Sequence, residues 1–239
     1  MTRYLFLGDT GIKVDFGNDI DLRTSRMLAK LRRAIKDRVN GVTEVVTAWA
    51  SLGVYYDPMV IETEALIQQL KATEAALDHI GLPETNSRIV EVPTAYGGKY
   101  GPDLEFVAQY RGLTLEEVVS VHSARDYYIF QLGFSPGFPY IQMPPELVTP
   151  KRADPRTRVD AGSVWIGDRV GGIYTIESPG GAQLIGRTPL RLYDPRWDNP
   201  VMLRPGDYLR FIPISEQQFE AISRAVEDGT YSVTAHDQK

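Results

Sequence analysis

The fold of this chain is decided by a stretch from Gln131 to Leu190 that begins QLGFSPGFPYI and ends IYTIESPGGAQLIGRTPL. The segment KRADPRTRVDAGSVWIG stands between these two motifs. Glycine and proline recur where short β-type runs must stop, because both residues suit backbone that turns sharply or approaches a partner closely. This alternation predicts short strands joined by tight turns.

The chain on either side of this stretch is also rich in β-type runs. From Asp126 onward they are DYYIFQLGF, VTPKR, GSVWIG, GGIYTIE, AQLIGRT, RLYD and DYLRFIPI. Many short strands with turn signals between them indicate a closed barrel or a sandwich. The last periodic segment, SEQQFEAISRAVEDG, predicts a helix with Phe219, Ile222 and Val226 facing inward.

Two short helices are predicted just before the β-rich part. Pro102 and Asp103 open the first helix and Gly112 closes it, as proline and glycine do at the two ends of a helix. Thr114 and Glu117 have the spacing of a capping box, which predicts a second helix that ends near His122.

The N-terminal part alternates between strand and helix patterns. The predicted elements are a hairpin over residues 3–16, a helix over 21–39, a strand or bent strand pair over 42–56, a helix from an N-cap at Thr63 through Ile80 to a stop at Gly81 and Pro83, and a strand over 87–96. This order predicts a small α+β sheet with two helices on one face. We therefore predict two domains, residues 1–88 and 89–239, with the polar segment LPETNS as the linker.

Composition limits the classes of function. The 239 residues suffice for a buried core, and the net charge of −5 gives no general attraction to nucleic acid or anionic lipid. The absence of cysteine excludes disulfides and thiolate chemistry. The sequence has neither a signal-peptide pattern nor the ~20 consecutive apolar residues that span a bilayer, so we expect a cytoplasmic protein without membrane or nucleic-acid partners.

His122 is the histidine nearest to the glycine-rich turns. Its charge can change near neutral pH, which makes it a candidate for proton transfer, although a lone histidine is more often structural. No second ligand follows at HxH or HxxxH spacing, so we predict no metal site. His79 and His236 receive no predicted role.

The GFSPGFPY segment supplies candidate pocket residues. Backbone amides around Ser135 and Gly137 can point into a cleft that Phe134, Phe138 and Tyr140 line. The same residues also fit a proline-stabilised turn packed on the core. Ser135 is not predicted to be a nucleophile, because the proline after it has no amide for an oxyanion and disfavours the helix that a nucleophile elbow enters.

A second turn, in ESPGGAQLIGRTP, offers anion-binding groups. The unhindered amides of Gly180 and Gly181 beside Ser178, together with Arg187, can bind a carboxylate, although a tight turn and a surface arginine explain the same residues. Neither a Walker motif nor GxGxxG is present. The basic cluster, which can complete this site or remain a solvated loop, consists of Arg152, Arg156 and Arg158.

These motifs, in their order and spacing, also carry a family resemblance. They are YGGKYGPDLEFVA, GLTLEEVVSVHS, LGFSPGFPYI, PRTRVDAGS, GGIYTIESPGGAQLIGRTPL and LRPGDYLRFIPI. The chain resembles, over almost its whole length, the family of the 5-oxoprolinase B subunit, also described as allophanate hydrolase subunit 1 and as a sensor-kinase inhibitor. The resemblance implies a ferredoxin-like N-terminal domain followed by a cyclophilin-like β-barrel domain.

The resemblance further implies an ATP-dependent 5-oxoprolinase subunit that is inactive alone. With a related barrel-type partner, the C-type subunit of 5-oxoprolinase, and a third partner, the A-type subunit, it would open 5-oxo-L-proline to L-glutamate, using ATP at the level of the complex. His122 would then be catalytic, assisting proton transfer or orienting the substrate. The expected substrate-binding residues are Phe134, Ser135, Gly137, Phe138, Arg156, Ser178, Gly180, Gly181 and Arg187.

Two alternatives stay open within this resemblance. One is a regulatory protein that inhibits a sensor histidine kinase, and the other is a subunit of allophanate hydrolase or urea carboxylase type, for which biotin would have to come from another chain. Asp160 stands where the family commonly has proline, and Ala182 stands where it commonly has tryptophan. Loss of that aromatic wall is expected to enlarge or reshape the pocket, which leaves the substrate open.

Overall fold

The computed structural model describes residues 2–77 and 87–238. The chain divides into two units, residues 1–85 and 86–239. The predicted residues at the end of the second helix, Ile80, Gly81 and Pro83, lie outside the described residues, as does most of the predicted linker.

The first unit is a four-stranded antiparallel sheet with two helices. Its elements are β1 (Arg3–Phe6), β2 (Gly11–Asp15), α1 (Leu22–Arg38), β3 (Val42–Thr47), β4 (Ser51–Tyr56) and α2 (Thr63–Ala75). The strands lie in the order β1-β2-β4-β3. Ile12 and Val14 project to one face of the sheet by strand alternation, and Leu28 of α1 and Leu66 of α2 join them in one core. Both helices therefore cover the same face, as predicted.

Side-chain capping explains where the first helix of this unit begins, but not the second. The Asp21 carboxylate accepts a hydrogen bond from the Thr24 amide at 2.9 Å, which confirms the predicted start of α1. The prediction of Thr63 as the N-cap of α2 is wrong by one residue, because Glu62 occupies that position without a side-chain cap. The Thr63 hydroxyl is hydrogen-bonded to the Tyr56 hydroxyl at 2.6 Å instead.

The strand predicted over residues 87–96 does not join the first sheet. It forms β5 (Arg88–Tyr96) of the second unit, where it pairs in parallel with β14 (Tyr208–Pro213). Its buried residues Val90 and Val92 belong to the core of the second unit. In a βαββαβ arrangement the last strand would pair with the first strand at one edge of the sheet. In this unit β1 takes that edge position beside β2.

The second unit is built around a strongly curled sheet. Its further elements are α3 (Leu104–Arg111), α4 (Leu115–Ser123), β6 (Asp126–Tyr128), β7 (Gln131–Leu132), β8 (Pro139–Gln142), β9 (Arg156–Val159), β10 (Ser163–Gly167), β11 (Val170–Ile173), β12 (Ser178–Gly180), β13 (Gln183–Arg187), α5 (Glu216–Glu227) and β15 (Ala235–Asp237). The sheet runs β6-β14-β5-β13-β10-β11-β8-β7, and β15 adds to β5.

The two ends of this sheet meet in one extended segment. Residues 126–128 pair with β14, and residues 131–132 of the same segment pair with β8. The Phe130 amide donates to the Tyr140 carbonyl at 3.0 Å and continues that contact. The strands thus curl into a barrel-like sheet, and β9 and β12 form a separate two-stranded ribbon.

The barrel strands bury side chains on both faces. Val164 and Ile166 of β10 enter the main core with Ile185 and Phe211, whereas Trp165 between them points to the other face. On that other face lies a smaller cluster of Phe138, Val159, Trp165, Tyr174, Ala182 and Leu184. The glycine-rich turns lie beside this second cluster.

The predicted helices of the second unit are confirmed. Gly112 ends α3 with a φ of 67°, which glycine adopts without strain, and Thr114 with Glu117 forms both hydrogen bonds of a capping box at the start of α4. Ile222 and Val226 of α5 pack half-buried against the main core. No helix in residues 2–77 or 87–238 is long and apolar enough to cross a bilayer.

We expect Thr114→Ala to lower the free energy of unfolding by about 1 kcal/mol, because the Glu117 amide loses its acceptor at the start of α4. Ser120→Ala is the matched control, since Ser120 is an exposed residue of the same helix and caps no helix end. Urea unfolding followed by circular dichroism measures both variants. Equal losses in the two variants would contradict the capping assignment.

Candidate functional site

The GFSPGFPY turn has few free backbone donors. Phe134 and Gly137 adopt φ values of 62° and 73°, so the chain reverses sharply at both residues. The Ser135 amide donates to the Gly133 carbonyl at 2.7 Å, and Pro136 has no amide. Of the predicted donors from Ser135 to Gly137, only the Gly137 amide has no acceptor among the described residues.

The Ser135 hydroxyl is held by a neighbouring hydroxyl and not by a base. Thr175 donates its hydroxyl proton to the Pro136 carbonyl at 2.7 Å, so its oxygen can accept from Ser135 Oγ at 3.4 Å. A nucleophilic serine needs a group that removes its proton. This geometry makes Ser135 a hydrogen-bonding residue of the turn.

An aromatic cluster fills the space behind the turn. The Phe138 ring lies at its centre, with centroid distances of 5.2 Å to Tyr140, 5.5 Å to Trp165 and 5.1 Å to Tyr174. Phe134 stacks edge-on against Phe138 at 5.2 Å and is 65% exposed. The cluster therefore has a buried base and one exposed ring beside the Gly137 amide.

The β9–β12 ribbon packs closely on Tyr174. Gly180 pairs with Arg156 across the ribbon, and a Cβ on Gly180 would lie 2.0 Å from the Tyr174 hydroxyl. The Gly181 carbonyl accepts from the Arg152 amide at 2.8 Å, while the Gly181 amide has no acceptor among the described residues. Burial raises the pKa of Tyr174, so its hydroxyl stays protonated near neutral pH.

A buried carboxylate holds the basic loop against the barrel. Asp103 is 5% exposed and accepts from the Leu184 amide of β13 at 2.7 Å. Its other oxygen accepts from Arg156 Nη2 at 2.8 Å and from Arg152 Nη1 at 3.2 Å. Two guanidinium groups thus share one carboxylate, which leaves one positive charge in excess beside the ribbon.

Several buried polar atoms in this region have no hydrogen-bond partner among the described residues. They are Arg156 Nη1, Trp165 Nε1 and Ser178 Oγ. An unpaired buried donor or acceptor costs about 1–3 kcal/mol, so native proteins keep few of them without a bound group. Trp165 belongs to the aromatic cluster, and Arg156 and Ser178 lie on the ribbon beside it. The region therefore contains buried polar groups whose hydrogen bonds the described residues do not complete.

Arg187 lies apart from this group of donors. Its Nη1 donates to the Asp160 carboxylate at 2.9 Å, and its Nε donates to the Ala161 carbonyl at 3.1 Å. Arg158 Nε also lies 3.5 Å from the Asp160 carboxylate, so this carboxylate is shared by two arginines. A substrate anion would have to compete with that carboxylate.

His122 also lies away from the turns, in the main core. It is fully buried, its ring centroid is 4.3 Å from that of Phe211, and its Nδ1 is 2.8 Å from the Tyr96 hydroxyl. Burial lowers its pKa to about 3, so the ring is neutral near pH 7. Its Nε2 has no partner among the described residues. These surroundings favour a structural role.

The structure brings together most of the predicted binding residues. Those that meet at the aromatic cluster and the ribbon are Phe134, Ser135, Gly137, Phe138, Arg156, Ser178, Gly180 and Gly181. Sequence reasoning missed Asp103, Trp165 and Tyr174 as site residues, although Asp103 was identified as the start of α3. No local signal could have found Asp103, because its arginine partners lie 49 and 53 residues away in the sequence. No group of His, Asp or Glu in the described part of the chain is arranged to hold a metal ion.

Comparison with known proteins identifies the family. The family model described as "Carboxyltransferase domain, subdomain C and D" matches residues 2–203. The chain is 37% identical over 229 residues to the B subunit of the 5-oxoprolinase of Bacillus subtilis, covering 90% of this chain and 94% of that protein. The chain belongs to the 5-oxoprolinase B-subunit family. The resemblance inferred from the motifs is therefore confirmed.

Solved structures extend this comparison. The crystal structure of TTHA0988 matches with a TM-score of 0.74 and 34% identity. The match covers 90% of the chain described here and 40% of the TTHA0988 chain. This chain thus spans well under half of that protein. The urea amidolyase of K. lactis matches over 99% of this chain and 16% of its own, with a TM-score of 0.82. At 23% identity the second match shows a shared fold alone.

The burial of His122 predicts a pH-dependent stability. Between about pH 6.5 and pH 3 the unfolded chain binds a proton at His122 that the folded chain does not, so the free energy of unfolding falls as pH falls. The expected contribution of His122 to the slope is up to about 1.4 kcal/mol per pH unit, and His122→Gln should remove it, whereas the slope at lower pH from Asp15, Asp21 and Asp194, whose pKa values are also lowered, should remain. Urea unfolding at several pH values measures the slope. His236→Gln, at an exposed histidine, is the control, and an unchanged slope in His122→Gln would refute the assignment.

Two adjacent glycines give a matched test of the ribbon. We expect Gly180→Ala to displace Tyr174, because the added Cβ would lie 2.0 Å from its hydroxyl, whereas the nearest atom to a Cβ on Gly181 is Pro155 Cγ at 3.4 Å. Near-ultraviolet circular dichroism reports on the aromatic cluster. It should change in Gly180→Ala and stay close to wild type in Gly181→Ala. The opposite order would contradict this packing of the ribbon on Tyr174.

Proposed function

We propose that this chain is one subunit of an ATP-dependent 5-oxoprolinase that opens 5-oxo-L-proline to L-glutamate together with partner subunits. The observation that carries the proposal is the 37% identity to a 5-oxoprolinase B subunit over 94% of that protein's length. The cluster of unpaired donors around Arg156 and Gly181 supports it, because 5-oxoproline presents a carboxylate and a lactam oxygen to such donors.

Opening of the lactam requires groups that stabilise negative charge on the substrate. A five-membered lactam resists water because amide resonance makes its carbonyl a poor electrophile. Transfer of the terminal phosphoryl group of ATP to that oxygen, with release of ADP, would make the carbon a better target for water; the ring C–N bond would then break, and hydrolysis of the resulting acyl phosphate would release glutamate and phosphate. In this proposal the amides of Gly137 and Gly181 stabilise charge on the lactam oxygen. The partly exposed guanidinium of Arg156 binds the substrate carboxylate, and the exposed ring of Phe134 lies against the lactam ring.

Binding of ATP is assigned to the complex and not to this chain. The arginines near the turns are already paired, Arg152 and Arg156 with Asp103 and Arg187 with Asp160. A triphosphate would need several more donors than this region offers, and the sequence has no phosphate-binding loop. The nucleotide therefore contributes no step that is carried by residues of this chain.

The candidate site lacks a base that could activate water. His122 is buried in the core, so its predicted part in proton transfer requires the core to open, and Arg187 requires displacement of Asp160. The missing groups are expected from the partners, a related barrel-type subunit of the C type and a third subunit of the A type. The chain alone is accordingly expected to be inactive.

The same proposal includes a ferredoxin-like fold for the first domain and a cyclophilin-like fold for the second. The β2-α1-β3-β4-α2 order, with β4 between β2 and β3, supports a ferredoxin-like first domain in which β1 takes the edge of the missing strand. The curled sheet of the second unit supports a cyclophilin-like barrel. We place the boundary between the domains just before β5.

One observation favours a second candidate function. The family model is described as a carboxyltransferase domain, which fits a subunit of urea carboxylase or allophanate hydrolase type. That interpretation predicts turnover only with a biotin-bearing partner. A regulator of a sensor histidine kinase would instead inhibit autophosphorylation by itself.

We expect the complex reconstituted from this chain and its A-type and C-type partners to form glutamate and ADP from 5-oxoproline and ATP, and this chain alone to form neither. Arg156→Gln should lower turnover on the order of a hundredfold, because a charged donor to the substrate is lost. Arg158→Gln is the matched control, since Arg158 lies on the same strand and its side chain is 70% exposed.

Chromatography of the assembled complex shows whether the variants still join it. An intact complex that consumes no ATP in the presence of 5-oxoproline would overturn the proposal. Equal losses in Arg156→Gln and Arg158→Gln would leave the reaction assigned and overturn the role of Arg156. Biotin-dependent turnover or kinase inhibition would favour the corresponding alternative.

A further inference from the structure

A second concave site lies in the second unit, and none of the candidate site residues line it. A cavity of about 500 Å³ opens between the loop after β13 and the segment after α5, within the range of about 300–1,000 Å³ typical of small-molecule sites. Its apolar and aromatic lining consists of Leu190, Met202, Trp197, Val226, Tyr231 and Val233. The cavity is also lined by four charged side chains, which are Arg191, Asp194, Arg196 and Glu227.

Two arginines of the cavity are fixed by one buried carboxylate. Asp194 is 4% exposed and accepts from Arg191 Nη1 at 2.9 Å and from Arg196 Nε at 2.8 Å and Nη2 at 2.5 Å. These guanidinium groups hold the pKa of Asp194 well below its usual range. Arg191 Nε and Nη2 and Arg196 Nη1 have no acceptor among the described residues. The arrangement is a preorganised fork of donors for a carboxylate.

A carboxylate from another element balances the excess charge. Glu227, at the end of α5, lines the same cavity and forms no ion pair within the described residues. With Arg191, Arg196 and Asp194, it brings the formal charge of the lining to zero. A multiply charged anion such as a nucleotide is disfavoured by Glu227, whereas a ligand with one carboxylate and one ammonium group matches both ends.

The apolar lining specifies the rest of the ligand. Trp197 is 37% exposed and lines the cavity together with apolar residues such as Met202 and Val226. Burial of an aliphatic or aromatic side chain there would remove apolar surface from water on both partners. A polar side chain would find fewer partners on this lining.

We propose that this cavity binds a zwitterionic amino acid with an apolar or aromatic side chain. The carboxylate binds to Arg191 and Arg196, the ammonium group binds to Glu227, and the side chain packs on Trp197 and Met202. This site is separate from the lactam site, and the proposal does not depend on the 5-oxoprolinase assignment.

Titration of the full chain with L-leucine and L-phenylalanine tests the proposal by calorimetry and by tryptophan fluorescence. We expect saturable binding of both amino acids. N-acetyl-L-leucine, which lacks the ammonium group, and L-leucine amide, which lacks the carboxylate, should each bind about tenfold more weakly, the loss typical of one charge-assisted hydrogen bond. Trp197→Phe should remove the fluorescence change and retain the calorimetric signal.

Charge-neutralising variants identify the two ends of the site. Arg191→Gln should weaken L-leucine about tenfold, and Glu227→Gln should weaken L-leucine but not N-acetyl-L-leucine. Glu220→Gln, at an exposed position of the same helix, is the control and should bind as the wild type does. An amino acid concentration of about 10 mM is high enough to detect weak binding, so absence of binding at that concentration would overturn the proposal. Binding that is unchanged in both Arg191→Gln and Glu227→Gln would overturn it equally.

Discussion

The buried carboxylate of Asp103 joins the parts of the second unit that form the candidate site. It receives a hydrogen bond from Leu184 of β13 and ion pairs from Arg152 and Arg156, and it stands at the start of α3. A buried charge is tolerated only when its partners are in place, and losing one partner costs roughly 3–5 kcal/mol. Helix, barrel strand and arginine loop are consequently fixed relative to one another, and Gly181 is positioned through Arg152.

The barrel strands place side chains on two opposite faces of the sheet, and the candidate site lies on one of them. Because side chains alternate along β10, Val164 and Ile166 stabilise the main core while Trp165 reaches the opposite face. The same strands can then support loops that carry the donors, as functional loops on rigid scaffolds generally do. The aromatic cluster fills the volume behind those loops, and Phe134 is its exposed ring.

Local signals in the sequence predicted the parts of this fold that depend on neighbouring residues. The capping box at Thr114, the glycine stop at Gly112 and the hairpin of β1 and β2 follow from residues a few positions apart. The placement of β5 could not be predicted in this way, because an apolar run does not specify which sheet it joins. The partners of Asp103 lie up to 81 residues away, at Leu184, and the burial of His122 depends on Phe211.

The pairing of charges separates arginines that look equivalent in the sequence. Arg187 and Arg158 together pair with two carboxylates, Asp160 and Glu177, and Arg187 Nε donates to a backbone carbonyl, so little of the capacity of Arg187 to bind an anion is left. Arg156 shares Asp103 with a second arginine and keeps a buried nitrogen without a partner among the described residues. An excess of cations over carboxylates, together with unused donors, is what allows a site to attract an external anion.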